Sequence, residues 1–129
     1  MSDRSNLAAK IELLHSVGGT ASVEKFAELI FANRQSVEDL AKNGGLLRFE
    51  LGTQPWQYPL FQTHERAIVK GLPRVLMALR DRDNWSKLIF LTTYNDYLEG
   101  VISDEMGTND ITPIMALQAG FVESVLLAT

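Results

Sequence analysis

The chain has 129 residues, 46% hydrophobic and 22% charged, which is enough apolar material for one ordinary core or two small subdomains sharing one. It contains no cysteine, so a disulfide framework, a thiolate metal site and a cysteine nucleophile are all excluded, and the composition fits a reducing cytosol. The net charge of -4 is uneven: residues 24–70 balance six bases against six acids, whereas residues 71–129 carry four bases and eight acids, and no dense basic stripe of a strong non-specific nucleic-acid binder is present. Met1 to Lys10 bears charge at Asp3, Arg4 and Lys10 without an apolar run behind it. No stretch approaches the roughly 18 apolar residues of a membrane span, so a cytoplasmic chain without export or membrane signals is expected.

Leu7, Ile11 and Leu14 recur at helical spacing and stop at Gly18-Gly19, which predicts a first amphipathic helix with a glycine C-cap. Ser22 is a cap for a second helix with Val23, Phe26, Ala27 and Ile30 on its apolar stripe, interrupted at Asn33. A third, short helix is expected from Ser36, with Asp39 completing an approximate capping box, Val37, Leu40 and Ala41 apolar, and Asn43-Gly44-Gly45 as the stop. The period then changes to 2. Leu47, Phe49 and Leu51 alternate with Arg48 and Glu50; Gly52-Thr53-Gln54-Pro55 turns the chain; Trp56, Tyr58 and Leu60 alternate with Gln57 and Pro59. This predicts a β-hairpin, with Pro59 at an edge or a strand end.

Helical period returns with Leu72, Val75, Leu76 and Leu79, Pro73 being tolerable in the first turn. Asp83 or Asn84 caps the next helix, whose face is Trp85, Leu88, Ile89 and Thr92. Asn95 to Asp110, with Gly100, Gly107 and five acids, is expected to be a loop. Thr112-Pro113 starts a helix through Ile114, Met115 and Leu117 to Gly120, and Phe121 to Leu127 makes a last short one through Val122, Val125 and Leu126. The expected fold class is therefore α+β, mainly α: helix-turn-helix-like helices, one β-hairpin, then a C-terminal helical bundle. The expected division is residues 1–66 and 67–129, packed as one unit.

Catalytic chemistry is sparse. His15 and His64 fall on different elements without metal-ligand spacing, and the acids of 95–110 do not follow the pattern of a calcium loop. Neither a phosphate-binding glycine loop nor a nucleophile elbow occurs, so the chain reads as a binder and not an enzyme, with no cofactor. Helix, short turn, helix and hairpin across residues 22–61 are the parts of a winged helix-turn-helix. On that reading Arg34, Gln35 and Ser36 open the reading helix, while Lys42 and Arg48 are available for phosphates. Glu38 and Asp39 oppose it, and the same parts equally describe a helical hairpin packed on a β-ribbon. Trp56 and Tyr58 are read as core rather than as base-stacking residues. A pocket lined by Trp56, Tyr58 and Trp85 is a further alternative.

Several runs together resemble the antitoxins of the Xre/MbcA/ParS group and their relatives. They are Arg34-Gln35-Ser36-Val37 through Gly44-Gly45-Leu46-Leu47; Trp56 to Gln62; Gly71 to Leu76; Trp85; and Thr93-Tyr94-Asn95-Asp96-Tyr97-Leu98-Glu99-Gly100. Tyr58-Pro59-x-x-Gln62 and Asn95-x-x-Leu98-x-Gly100 are the most specific pieces. The resemblance implies an N-terminal segment that binds operator DNA and a helical C-terminal domain that binds a RES-type toxin, often blocking its NAD-consuming site. It also implies a homo-oligomer, and it points to Tyr94, Asn95, Tyr97, Leu98 and Gly100 as partner-binding residues. In that group the glycine is closely followed by Ser or Thr and Pro, whereas here Val101 to Ile111 intervene before Thr112-Pro113.

Overall fold

The structure is a computed structural model that describes residues 3–129, with side chains from Asn6 onward; the charges expected at Asp3 and Arg4 lie outside the described side chains. The chain divides after Ala67 into two compact units. Among the described residues no helix is long and apolar enough to cross a membrane.

The first unit runs α1 (Asp3–Ser16), β1 (Thr20–Ala21), α2 (Val23–Leu29) and α3 (Arg34–Lys42), then an extended segment, β2 (Tyr58–Pro59) and a single 3-10 turn at Leu60–Gln62. β3 (Thr63–His64) and β4 (Ala67–Ile68) form a second small sheet where the chain passes out of the unit. In α1 the expected stripe holds at Leu14, which is buried, while Ile11 faces solvent. Ser22 caps α2 as expected, accepting from the Lys25 N–H. The α3 cap is different: Asn33 accepts from the Ser36 N–H, so the helix begins two residues before Ser36. Asn33 carries an acceptor at the end of its own side chain, which is the property the position selects.

The expected hairpin is only partly a ladder. Phe49 and Gln57 exchange both backbone hydrogen bonds at 2.9 Å, but they are an isolated bridge. The second arm then turns to β1, with Thr20 opposite Pro59 and Ala21 opposite Tyr58 in antiparallel register. Pro59 ends β2, where its missing N–H costs nothing. The alternation of the first arm does persist as burial: Leu47, Phe49 and Leu51 are inside, Arg48 is half-buried and Glu50 is exposed. The second arm does not keep it, since Tyr58 is fully buried while Trp56 reaches the surface. Tyr58 sits against Phe26 with ring centroids 5.4 Å apart and tilted by 37°, and these two rings with Val37 and Leu47 centre the core of this unit. Helix, strand, two helices and a ribbon whose return arm pairs with the first strand make up this unit, with residues 50–56 as the tip of the ribbon, where the sequence reading expects a wing.

The second unit is all helix: α4 (Leu72–Ala78), α5 (Asn84–Thr92), α6 (Asp96–Met106), α7 (Pro113–Gln118) and α8 (Val122–Ala128). α8 packs on α4, α6 and α7, and α7 packs on α5 and α6. Leu72, Val75, Leu76, Leu88, Leu91, Leu98, Ile102, Ile111, Leu117 and Val125 are buried. Asp83, rather than Asn84, caps α5, and its inward face is Leu88 and Leu91, with Ile89 turned outward.

The expected loop at 95–110 is the eleven-residue α6. Asn95 caps it, accepting from the Leu98 N–H at 3.0 Å, and Gly107 ends it in the left-handed region at φ 75°. Asp96 and Glu99 stand in its first turn, where acids favour a helix. Burial of Leu98 and Ile102 contributes roughly 1.5–3 kcal/mol each, more than the about 1 kcal/mol lost to Gly100. Two apolar anchors four residues apart therefore outweigh the polar composition that suggested a loop. The intervening Val101 to Ile111 segment is the remainder of this helix, its glycine stop and the short link to Thr112, which caps α7 ahead of Pro113.

Candidate interaction surfaces

The residues expected to meet DNA surround α3 and the wing. Arg34 opens α3, but its guanidinium is committed on both sides, to Glu24 of α2 at 2.7 Å and to Glu38 at 3.5 Å. Gln35 donates to the Asp39 carboxylate at 2.8 Å. Ser36 is exposed on the first turn, and Lys42 is exposed in the last. The Arg48 guanidinium carbon lies over the Trp56 ring, 4.2 Å from its centroid, and a terminal nitrogen is 3.4 Å from the Tyr58 hydroxyl. Trp56, Arg34, Glu24 and Glu38 share one cleft of about 260 Å³. The structure thus gathers Arg34 and Arg48 around Trp56, and it adds acids to that surface. α3 carries Arg34 and Lys42 against Glu38 and Asp39, a sum of zero.

The residues expected to meet a partner separate into two sets. Asn95 and Leu98 are structural: Asn95 caps α6 and its N–H donates to the Ile111 carbonyl at 2.9 Å, while Leu98 is fully buried and unavailable to any partner. Tyr94, at 65% exposed, and Tyr97, at 44%, face solvent, and Gly100 has nothing within 4 Å of where a Cβ would stand. Two more apolar residues are exposed that the sequence reading did not assign to a partner, Val101 at 46% and Ile89 at 52%, the latter having been expected on the inward face of its helix. Tyr97 and Val101, four residues apart, form a short exposed stripe on α6 at the flank of its buried Leu98 and Ile102 face, and Tyr94 stands just ahead of the Asn95 cap. Beside the stripe, Arg82, Ile89, Phe90 and Tyr94 line a cleft of about 350 Å³, with the Arg82 guanidinium 5.7 Å from the Phe90 ring centroid.

Asp96, Glu99, Asp104 and Glu105 are all exposed on α6, which carries no base. Four clefts of the molecule measure about 250 to 350 Å³, at or below the ~300–1,000 Å³ range of small-molecule sites. Among the described residues no three His, Cys, Asp or Glu side chains are placed to hold a metal ion. Asp83 is held below the ordinary aspartate range chiefly by the Ser86 N–H it accepts.

No protein-family profile matches this chain, and no curated protein matches it. Among solved structures it is similar to the NMR structure of Rv2175c, with a TM-score of 0.63 and 21% identity over 84% of this chain and 76% of that one. At that identity the similarity concerns the fold, and it supports a mainly helical α+β architecture.

Proposed function

We propose that this chain is a non-enzymatic, antitoxin-like binding protein that holds a protein partner on the outward face of α5 and α6. The observation that carries this reading is the exposure of Ile89, Tyr94, Tyr97 and Val101 on α5, α6 and the link between them, with Ile89 and Tyr94 lining one cleft, while Leu98 and Ile102 are the buried residues of α6. Contiguous exposed aromatic and aliphatic side chains with a polar rim are the usual composition of a protein contact surface. The rim here is acidic, so the partner that fits presents basic side chains around an apolar centre. A two-fold pairing of this face with itself would set the acids of α6 against one another, which argues for a different protein as occupant. A RES-type toxin, the partner implied by the resemblance, is the specific candidate.

The test compares baits in lysate of the native host. Wild-type protein, Val101→Glu and Arg34→Ala are each immobilised, and the bound proteins are quantified by mass spectrometry. The expected result is a partner with a basic contact surface that wild type and Arg34→Ala retain and Val101→Glu loses. Identical recoveries on all three baits sink the reading.

A DNA contact through the first unit is the second reading, supported by the order of two helices and a ribbon and by Lys42 and Arg48 at its surface. The balanced charge of α3 and the double pairing of Arg34 place it second. Exposed pairs of this kind contribute only about 0–1 kcal/mol to folding, so Glu24→Gln with Glu38→Gln leaves the protein folded and frees the guanidinium. Duplex DNA retention at low salt, measured by fluorescence anisotropy, is then expected to rise and to fall again with added salt. No retention by either protein ends the DNA reading.

A further inference from the structure

The cleft of about 350 Å³ beside α5 lies within the ~300–1,000 Å³ of small-molecule sites. Its polar lining is one-sided. The Thr93 hydroxyl gives its proton to the Ile89 carbonyl at 2.6 Å, and the Ser86 hydroxyl donates to the Asp83 carboxylate. The Asn95 side-chain oxygen accepts from the Leu98 N–H at 3.0 Å, which fixes the orientation of the amide and leaves its two N–H donors. The Arg82 guanidinium is held against the Phe90 ring, 5.7 Å from its centroid. Among the described residues it pairs with neither Asp81 nor Asp83, its neighbours in sequence. What the cleft still has to offer is chiefly protons, from the guanidinium, the Asn95 amide and the Tyr94 hydroxyl, with a permanent positive charge among them. Ile89 and Phe90 give it an apolar wall.

We propose that this cleft binds a small carboxylic acid with an aromatic body, its carboxylate on the Arg82 guanidinium and the Asn95 amide and its ring along Ile89 and Phe90. An ionised carboxylate only accepts hydrogen bonds, so it matches a set of open donors, and a guanidinium holds it through two parallel bonds. An amine or a metal cation meets the charge of Arg82 instead. A bare inorganic anion leaves the apolar wall in water, which the ring of an aromatic acid covers. Asp83 and Asp96, beside lining residues, are exposed and therefore screened, so they lower the affinity without reversing its sign. A small-molecule site goes beyond the protein partner proposed for the adjoining face, and its test requires no partner.

The isotope-labelled full chain is titrated with sodium benzoate to about 20 mM at constant ionic strength, and backbone amide chemical shifts are followed. Saturable shifts confined to Arg82 to Asn95 and the first turn of α6 are expected, with a dissociation constant on the order of 1 mM, as an open cleft and a ligand of about nine heavy atoms permit. Benzamide keeps the ring and loses the charge, acetate keeps the charge and loses the ring, and each is expected to bind at least ~tenfold more weakly. Arg82→Gln is expected to weaken benzoate at least ~tenfold without lowering the melting temperature, since this exposed guanidinium has no ion pair to lose. Shifts that fail to saturate, or that scatter over the surface, overturn the inference. So does benzamide binding as well as benzoate, or benzoate binding equally to wild type and Arg82→Gln.

Discussion

The side-chain amide of Gln62 takes both backbone bonds of Leu47: its oxygen accepts from the Leu47 N–H at 2.6 Å and its nitrogen donates to the Leu47 carbonyl at 3.0 Å and to the Pro59 carbonyl at 3.1 Å. Gln62 is completely buried. It occupies the place of a neighbouring strand for a segment whose ladder stops at Phe49, and so satisfies three backbone groups, the Leu47 N–H and the carbonyls of Leu47 and Pro59. This is a structural reason for a glutamine four residues after Tyr58.

Gln62→Leu keeps the volume and removes all three bonds. Each buried backbone group left without a partner costs about 1–3 kcal/mol, so the variant, with three such groups, is expected to lose at least about 3 kcal/mol, measured by urea denaturation. A loss below about 1 kcal/mol would mean that water or a shift of the backbone replaces the amide.

Gly71 precedes α4 at φ 86°, and a Cβ there would stand 2.7 Å from both methyl carbons of Val122. Gly71→Ala therefore meets two penalties, about 1–2 kcal/mol for the left-handed backbone and about 1–3 kcal/mol for crowding α8. Val122→Ala in the same chain is expected to remove the second and leave the first. A double-mutant cycle with no coupling between the two positions would contradict this.

Asp83 is held below the ordinary aspartate range by the Ser86 N–H, with Lys87 adding a smaller electrostatic pull. Because the folded value lies below the unfolded one of ~3.9, the cap's charge-dependent stability is complete above that value and disappears as pH falls through the folded one. Asn at this position still caps but does not titrate. The difference in melting temperature between wild type and Asp83→Asn is expected to be constant near neutral pH and to shift against the wild type below about pH 4. A difference that is flat down to pH 2 rejects this assignment.

Gly100 lies mid-helix with open space where a side chain would be. Gly100→Ala is expected to stabilise the chain by about 1 kcal/mol, read by thermal denaturation. On the proposed partner face, beside Tyr97 and Val101, the added methyl is also expected to weaken partner retention several-fold. Stabilisation without loss of partner would separate this glycine from the contact surface.

Much of the architecture was legible because local chemistry and burial agree along the chain. Ser22, Thr112-Pro113, Gly18-Gly19 and Gly44-Gly45 mark helix ends by properties of their own backbone and side chains, and the change of period at Leu47 marks the ribbon. Of the residues expected to act, Arg34 and Arg48 do come to one surface, and Tyr94 and Tyr97 do face solvent. What local pattern did not reveal is what each side chain meets. Leu98 and Tyr97 are neighbours in a polar stretch, and only the packing of α6 on α7 and α8 turns one into core and the other into surface. Glu24 lies ten residues from Arg34, and the α2–α3 turn makes it a counter-charge. Trp56 and Tyr58 share an alternation, yet β2 leaves the first arm to pair with β1 and carries only Tyr58 inside. The sequence by itself determined where helices start and stop, since caps, glycines and periodicity act within a few residues. Which faces are buried, which charges are neutralised and which apolar residues stay outside were decided by tertiary packing, because those depend on partners distant along the chain.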